Sequence, residues 1–87
     1  SSQLILVKTA EIVAQRGFVV ENIDSIIIAQ RPKLAPYIMK MRAKIAYTLN
    51  LPVEQVSVKA TTTEHLGFVG RGEGIAAQAV CLLRKSI

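Results

Sequence analysis

Apolar positions in the first sixteen residues, Leu4, Val7, Ile12 and their neighbours, fall on one helical face. Ser1 and Ser2 are of the type that caps a helix start, and Gly17, directly after Arg16, is of the type that ends one. Phe18-Val19-Val20 then predicts a short extended piece, and Asn22-Ile23-Asp24 a turn. Ser25 to Gln30 (SIIIAQ) is a short, β-branched, nearly continuous apolar run, which suits a strand buried on both faces of a sheet covered by helices. Arg31-Pro32-Lys33 breaks that run. Pro36 suits the first turn of a second helix, where its missing N–H is not needed. Ile38, Met41, Ile45 and Leu49 recur at helical spacing as far as Asn50, which can cap the end. Leu51-Pro52 turns the chain, and Val56 to Thr61 (VSVKAT) alternates with the period of a strand. A third helix is expected over Ile75 to Arg84, burying Ile75, Ala79, Leu82 and Leu83.

The order helix, strand, helix, strand, helix places two strands parallel, joined by a right-handed crossover through a helix. Two strands make a thin sheet, so further strands are expected outside the segment. Eighty-seven residues allow one domain, because two separate cores would each bury too little. With 51% hydrophobic and only 20% charged residues, the chain carries more apolar surface than a small monomer covers, and part of it is expected to meet another subunit or more chain. The chain opens on Ser1-Ser2 without Met, so a preceding segment is expected.

Charge narrows the partners. The net +5 favours anions, yet Lys and Arg are scattered singly, the longest run being Arg84-Lys85, with two Phe, two Tyr and no Trp. A base-stacking, basic surface for nucleic acid is therefore poorly supplied, and small phosphorylated ligands fit better. Cys81 is the only cysteine; no internal disulfide can form, and its apolar setting (AVCLL) predicts a buried thiol in a reducing compartment. No apolar stretch approaches the roughly 18 residues of a membrane span.

The chemistry is crowded into KATTTEHLGFVGRGEGIAA, Lys59 to Ala77. Gly67 and Gly72 have P-loop spacing, but Glu73 stands where the phosphate-binding lysine belongs and would repel that phosphate. Gly70, Gly72 and Gly74 run G-x-G-x-G, which also fails the dinucleotide fingerprint. The glycines can still turn the backbone sharply beside Arg71, and a helix opening near Gly72 to Gly74 would offer N–H groups to an anion; equally, they can serve only to turn the chain. Thr61-Thr62-Thr63 suits plain strand, but it lies at a strand's C-terminal end, where open α/β sheets bind ligands; if extended, Thr62 faces a ligand while Thr61 and Thr63 brace the loop. Glu64 beside a phosphate site makes sense with Mg²⁺ or Mn²⁺ between them; equally, it can be a solvated surface glutamate. His65, the single histidine, is no zinc set and is expected at the surface. The other strand ends in Ala29-Gln30-Arg31-Pro32-Lys33-Leu34-Ala35, where Pro32 stiffens a loop able to read a flat base and Lys33 adds positive charge.

IIAQRPKLAPYI from Ile27, with KATTTEHLGFVGRGEGIAA, NID at Asn22 to Asp24 and Met41-Arg42, resembles the C-terminal half of the 2-C-methyl-D-erythritol 2,4-cyclodiphosphate synthase family over nearly the whole chain. The resemblance implies an α/β fold (an α+β sandwich) with helices on a mixed β-sheet and a βαβ crossover, truncated at the N-terminus, and a homotrimer in the full protein. It implies a phosphorus-oxygen lyase that cyclises 4-diphosphocytidyl-2-C-methyl-D-erythritol 2-phosphate and releases CMP, in the non-mevalonate route to isoprenoids, in bacterial cytoplasm or plastid stroma. By position, Ala29, Gln30, Arg31, Pro32, Lys33, Leu34 and Ala35 would form the cytidine pocket, and Ala60, Thr61, Thr62 and Thr63 would complete it. Thr62 would also be catalytic, polarising a phosphate, and Glu64 would hold Mg²⁺ or Mn²⁺ between the phosphates. Phe68 and Arg71 would line a cavity on the threefold axis that accepts an isoprenoid diphosphate in some members. The family's zinc ligands, an Asp-x-His pair and a later His, have no counterpart here, so residues 1–87 are expected to be the cytidine half of a Zn²⁺-dependent site. The isolated chain is then expected to be inactive. A stand-alone nucleotide- or anion-binding α/β module is the alternative.

Overall fold

The computed structural model describes residues 2–31 and 33–86. Two helices and the segments between them come first: α1 (Ser2–Gln15), β1 (Phe18–Ile28), a 3-10 turn (Ala35–Tyr37) and α2 (Ile38–Leu49). A second 3-10 turn (Val53–Gln55) leads into β2 (Val56–Thr61), a one-turn helix α3 (Gly67–Gly70) and β3 (Ala76–Lys85). The expected cap Ser1 and the loop-stiffening Pro32 lie outside the described residues, and Ser2 is already helical. Gly17 ends α1 as expected, at φ +83° with its N–H on the Ala14 carbonyl.

The sheet has the order β2-β1-β3. β1 and β2 are parallel, joined through α2, as the alternating patterns required; their register runs from Ile23↔Val56 to Ile28↔Thr61. β1 and β3 are antiparallel, which makes the sheet mixed.

Several expectations fail here. Residues 75–84 are not a third helix; Ala76–Lys85 is a strand, Ile75, Ala79, Leu82 and Leu83 are exposed rather than buried, and the helix opening near Gly72 to Gly74 goes with it. The Ala- and Leu-rich composition favours a helix locally, but β1 is 11 residues long and leaves a whole edge of N–H and C=O groups to satisfy. Pairing along almost the full length of β1 outweighs that local preference. Asn22-Ile23-Asp24 is likewise not a turn but the middle of β1. Its irregularity is absorbed by a register shift between Val20 and Asn22, a bulge at Glu21. The Glu21 carboxylate accepts a 2.7 Å bond from Arg84 Nε across the bulge.

The core lies on one face of this sheet. Val56, 1% exposed, Val58 and Ala46 form its centre, with Ile27, Ile38, Met41, Ile45, Leu51 and Val53 packed around them. Arg42 ties α2 to the start of β2, donating from Nε to the Val56 carbonyl at 2.7 Å and from Nη2 to the Val53 carbonyl at 3.0 Å. Asn50 closes α2 at φ +57°, with the Leu51 N–H on the Ala46 carbonyl at 2.8 Å, a left-handed end of Schellman type. The other sheet face is open: Asp24, Ile26, Lys59, Gln78 and Val80 are all exposed. Ser25 to Ile28 is therefore covered on one side only, in contrast to the expectation from its apolar run. Cys81, expected buried in a helix, is exposed on β3.

Between β2 and β3 the chain folds into a tight loop. Glu64 and His65 both adopt left-handed backbone, at φ +57° and +65°. Gly70 lies so close that a β-carbon there would sit 2.2 Å from the His65 carbonyl carbon. α3 closes with Gly72 at φ +74°, its N–H on the Val69 carbonyl and the Glu73 N–H on the Phe68 carbonyl.

Two substitutions test this account by urea unfolding. Gly70→Ala forces backbone against backbone and should cost at least about 2 kcal/mol. Asn50→Ala places an ordinary residue in left-handed conformation and should cost roughly 1 kcal/mol. An unchanged midpoint for either would contradict the geometry described at that position.

Candidate functional site

Parallel pairing decides where the two sequence-predicted loops go. Ile28 and Thr61 are register partners at the C-terminal ends of β1 and β2, so both loops leave the sheet at the same end. One more rung follows, Ala29 N–H donating to the Thr61 carbonyl at 3.0 Å. Ala29 is buried by it. Residues 29–31 and 62–65 therefore emerge side by side.

Side chains then cross between the loops. Gln30, half-buried, accepts a 3.2 Å hydrogen bond on Oε1 from the backbone N–H of His65. Arg31 reaches toward the glycine loop: a β-carbon at Gly72 would lie 3.0 Å from its Nε and 3.1 Å from its Nη2. Gly72 thus leaves room for a guanidinium. The contact of Gly70 with His65 and that of Arg31 with Gly72 draw a third segment, 70–74, against the first two.

The three threonines share the labour differently from the alternation expected of an extended run, because β2 ends at Thr61. Thr63 braces the loop as expected, donating from Oγ1 to the Leu66 carbonyl at 2.6 Å. Thr61 makes a long 3.4 Å contact from Oγ1 to the Thr62 carbonyl. Thr62 Oγ1 accepts from the Glu64 N–H at 3.2 Å. It acts as an acceptor there, so its own hydrogen is available to donate outward. Glu64 is exposed and its carboxylate makes no ion pair among the described residues. His65 is exposed, as expected.

Of the remaining predicted residues, Lys33 and Ala35 are exposed, and Leu34 is half-buried, accepting from the Tyr37 N–H at 2.8 Å. Ala60 is exposed near the end of β2. Phe68 is 54% exposed and its ring covers Gly74, where a β-carbon would meet it at 3.1 Å. The Arg71 guanidinium is bonded to Glu73 at 3.0 Å. Both partners are more than half exposed, so the pair is worth little and yields readily to a stronger anion.

Sequence reasoning missed the cross-loop bond of Gln30 and the anchoring role of Arg42. Nothing in the spacing tells Gln30 that its partner lies 35 positions on. Met41-Arg42 stands in the sequence as part of the family pattern, and a cation inside an apolar helical stripe is the signal that points to its structural use.

Chemically, the strand tips combine an exposed carboxylate, a hydroxyl with a hydrogen to give, and the cations Arg31 and Lys33. Among the described residues no three His, Cys, Asp or Glu converge to hold a metal ion. That donor set does not fit zinc. It does fit a hard divalent cation such as Mg²⁺, which takes one or two carboxylates together with ligand phosphates. A separate groove of about 490 Å³ lies between α1, α2 and the sheet, lined by the apolar Leu6, Ile27, Met41, Ile45 and Val58 and by polar residues that include Lys44. Some of its polar groups bond within the protein: Gln3 donates to Thr48, Thr48 to the Lys44 carbonyl and Ser25 to the Ser57 carbonyl.

Known proteins share this fold. A bifunctional IspDF from Campylobacter jejuni superposes with a TM-score of 0.95 at 41% identity, over 98% of this chain and 23% of that one. The CDP complex of IspF from Plasmodium falciparum superposes at 0.92 and 29% identity, over 100% of this chain and 56% of that one. The 2-C-methyl-D-erythritol 2,4-cyclodiphosphate synthase of Desulforamulus reducens is 53% identical over 98% of this chain and 54% of its own length. That of Marinobacter nauticus is 58% identical over 94% and 52%. This chain spans about half the length of such curated relatives. A model of the YgbB family matches residues 1–84. The mixed sheet with its helices, the two ligand-type loops at one sheet end and this match over almost every residue agree: the chain belongs to the YgbB family.

Proposed function

We propose that this chain supplies the cytidine and diphosphate half of a cyclodiphosphate synthase active site. The complete protein then converts 4-diphosphocytidyl-2-C-methyl-D-erythritol 2-phosphate to 2-C-methyl-D-erythritol 2,4-cyclodiphosphate with release of CMP, as a phosphorus-oxygen lyase of the non-mevalonate isoprenoid route. The observation that carries this reading is the direct joining of the 29–31 and 62–65 segments through Ala29–Thr61 and Gln30–His65. The CDP complex of the Plasmodium falciparum relative supports a cytidine diphosphate ligand.

In the reaction, an oxygen of the 2-phosphate attacks the β-phosphorus while the bond from that phosphorus to the oxygen bridging it to the α-phosphate breaks, and CMP leaves. No covalent enzyme intermediate is required; the task is alignment and charge neutralisation. Backbone groups of residues 29–35 read the cytosine, and Lys33 meets the nucleotide phosphate or ribose. Ala60 and Thr61 complete the wall, while Thr62 directs its hydroxyl hydrogen at a phosphate oxygen whose charge grows as the bond breaks. Glu64 would hold Mg²⁺ or Mn²⁺ against the diphosphate. A cation bound there supplies charge neutralisation between the two phosphates.

The zinc-holding half and the methylerythritol-binding residues would come from the upstream half of the family chain and from a neighbouring subunit of a homotrimer. Exposed Val80, Leu82 and Leu83 on β3 supply apolar surface for such an assembly. Phe68 and Arg71 would face its central cavity, where an isoprenoid diphosphate could displace Glu73 from the guanidinium. The compartment on this reading is bacterial cytoplasm or plastid stroma.

The 87-residue chain by itself should release no CMP from the substrate above the uncatalysed background, measured by chromatography. Sustained turnover would contradict the division of the site. In the full-length gene product, calorimetry should show CDP binding strengthened about tenfold by Mn²⁺, and Glu64→Gln should abolish that gain. An identical gain in the variant would remove Glu64 from the metal's coordination. CMP-selective binding with a shallow salt dependence is expected; a steep salt slope with a short RNA would favour nucleic acid instead.

A further inference from the structure

The Glu64-His65 turn costs energy to hold. Two consecutive non-glycine residues in left-handed conformation are each disfavoured by roughly 1–2 kcal/mol. Three features maintain them. The Thr62 hydroxyl accepts from the Glu64 N–H, two residues away, and Gly70 gives the His65 backbone room to sit. Both belong to the same loop as the turn. The third is the Gln30 amide oxygen on the His65 N–H, a side-chain hydrogen bond that runs from the first loop into the turn. Its chemistry is one-directional, because a backbone N–H can only donate and the amide group must present its oxygen.

Resting on the function proposed above, we infer that Gln30 is a positioning residue, whose side-chain oxygen latches the His65 backbone and thereby aims the Glu64 carboxylate at the diphosphate-bound cation. This assigns the Gln30 side chain to the protein's own turn and leaves the reading of the nucleotide to the backbone of its loop. Without the latch, the His65 N–H loses its partner and the turn is free to relax toward ordinary backbone angles. The carboxylate one residue earlier then changes direction, while the loops remain joined through Ala29 and Thr61. The loop that receives the base is thus mechanically tied to the residue that receives the metal.

The test compares Gln30→Leu, similar in size but unable to accept, with Gln30→Glu, which keeps an acceptor, in the full-length gene product. Gln30→Leu should speed amide exchange at His65 by about tenfold, the worth of one lost hydrogen bond, and remove most of the Mn²⁺-dependent gain in CDP affinity. Gln30→Glu should restore both. Adding Gln30→Leu to Glu64→Gln should remove no further part of the gain, because both act on one carboxylate. If Gln30→Leu fails to fold, Gln30→Asn, one methylene too short, replaces it in the same comparison. Equal losses of CDP affinity with and without Mn²⁺ would overturn the inference, since a side chain that touches the nucleotide or merely supports the fold produces that pattern. Unchanged His65 exchange would reject the latch itself. If the unsubstituted protein shows no Mn²⁺-dependent gain, the metal role of Glu64 fails and this inference with it, and His65 exchange still reports separately whether the latch exists.

Discussion

Side-by-side parallel pairing of β1 and β2, carried one rung further by the Ala29 N–H on the Thr61 carbonyl, is the constraint on which the rest depends. Parallel strands deliver their C-terminal ends to the same side of a sheet, and the two loops that begin there share a floor of backbone hydrogen bonds. A slip of one residue would turn every side chain of β2 to the opposite face. Val56 and Val58 forbid that slip, because burying them against Ala46 and α2 fixes which residues face inward. The core therefore sets the register, and the register sets the site.

Around this pair the remaining elements act as supports. Arg42 fastens the end of the crossover by holding the Val53 and Val56 carbonyls, so that β2 enters the sheet at a defined height. β3 satisfies the other edge of β1 and carries the chain back from the glycine loop. The loop itself is shaped by close approach: Gly70 fits against His65, and Gly72 ends α3 beneath the Arg31 guanidinium. These glycines turn the chain and also bring Arg31 and His65 against the 70–74 segment.

Much of this was legible in the sequence where local pattern and tertiary environment agree. α1 with its terminating Gly17, α2 with its left-handed Asn50, and β2 over Val56 to Thr61 all follow from apolar spacing and end-capping chemistry. The pattern failed where pairing overrode it. Residues 76–85 are small and aliphatic, good helix material, and only the long open edge of β1 makes them a strand. Asn22 and Asp24 look like turn residues because their type is rare in strands, yet a bulge at Glu21 lets the strand run on. The site showed the same division. Thr62, Glu64 and Ala29 to Ala35 stand out in the sequence through motif resemblance alone, and the parallel register brings residues 29–31 and 62–65 to one end of the sheet. The use of Gln30 was not visible, because a hydrogen bond to a backbone N–H leaves no residue-type signature at its receiving end.

A structure of the full-length protein with CDP and Mn²⁺ tests the central claim most directly. The account predicts the cytosine against the backbone of residues 29–35, and the metal bridging the diphosphate and the Glu64 carboxylate. A nucleotide seated elsewhere, for instance in the apolar groove between α1 and α2, or a diphosphate with no metal contact to Glu64, would contradict it.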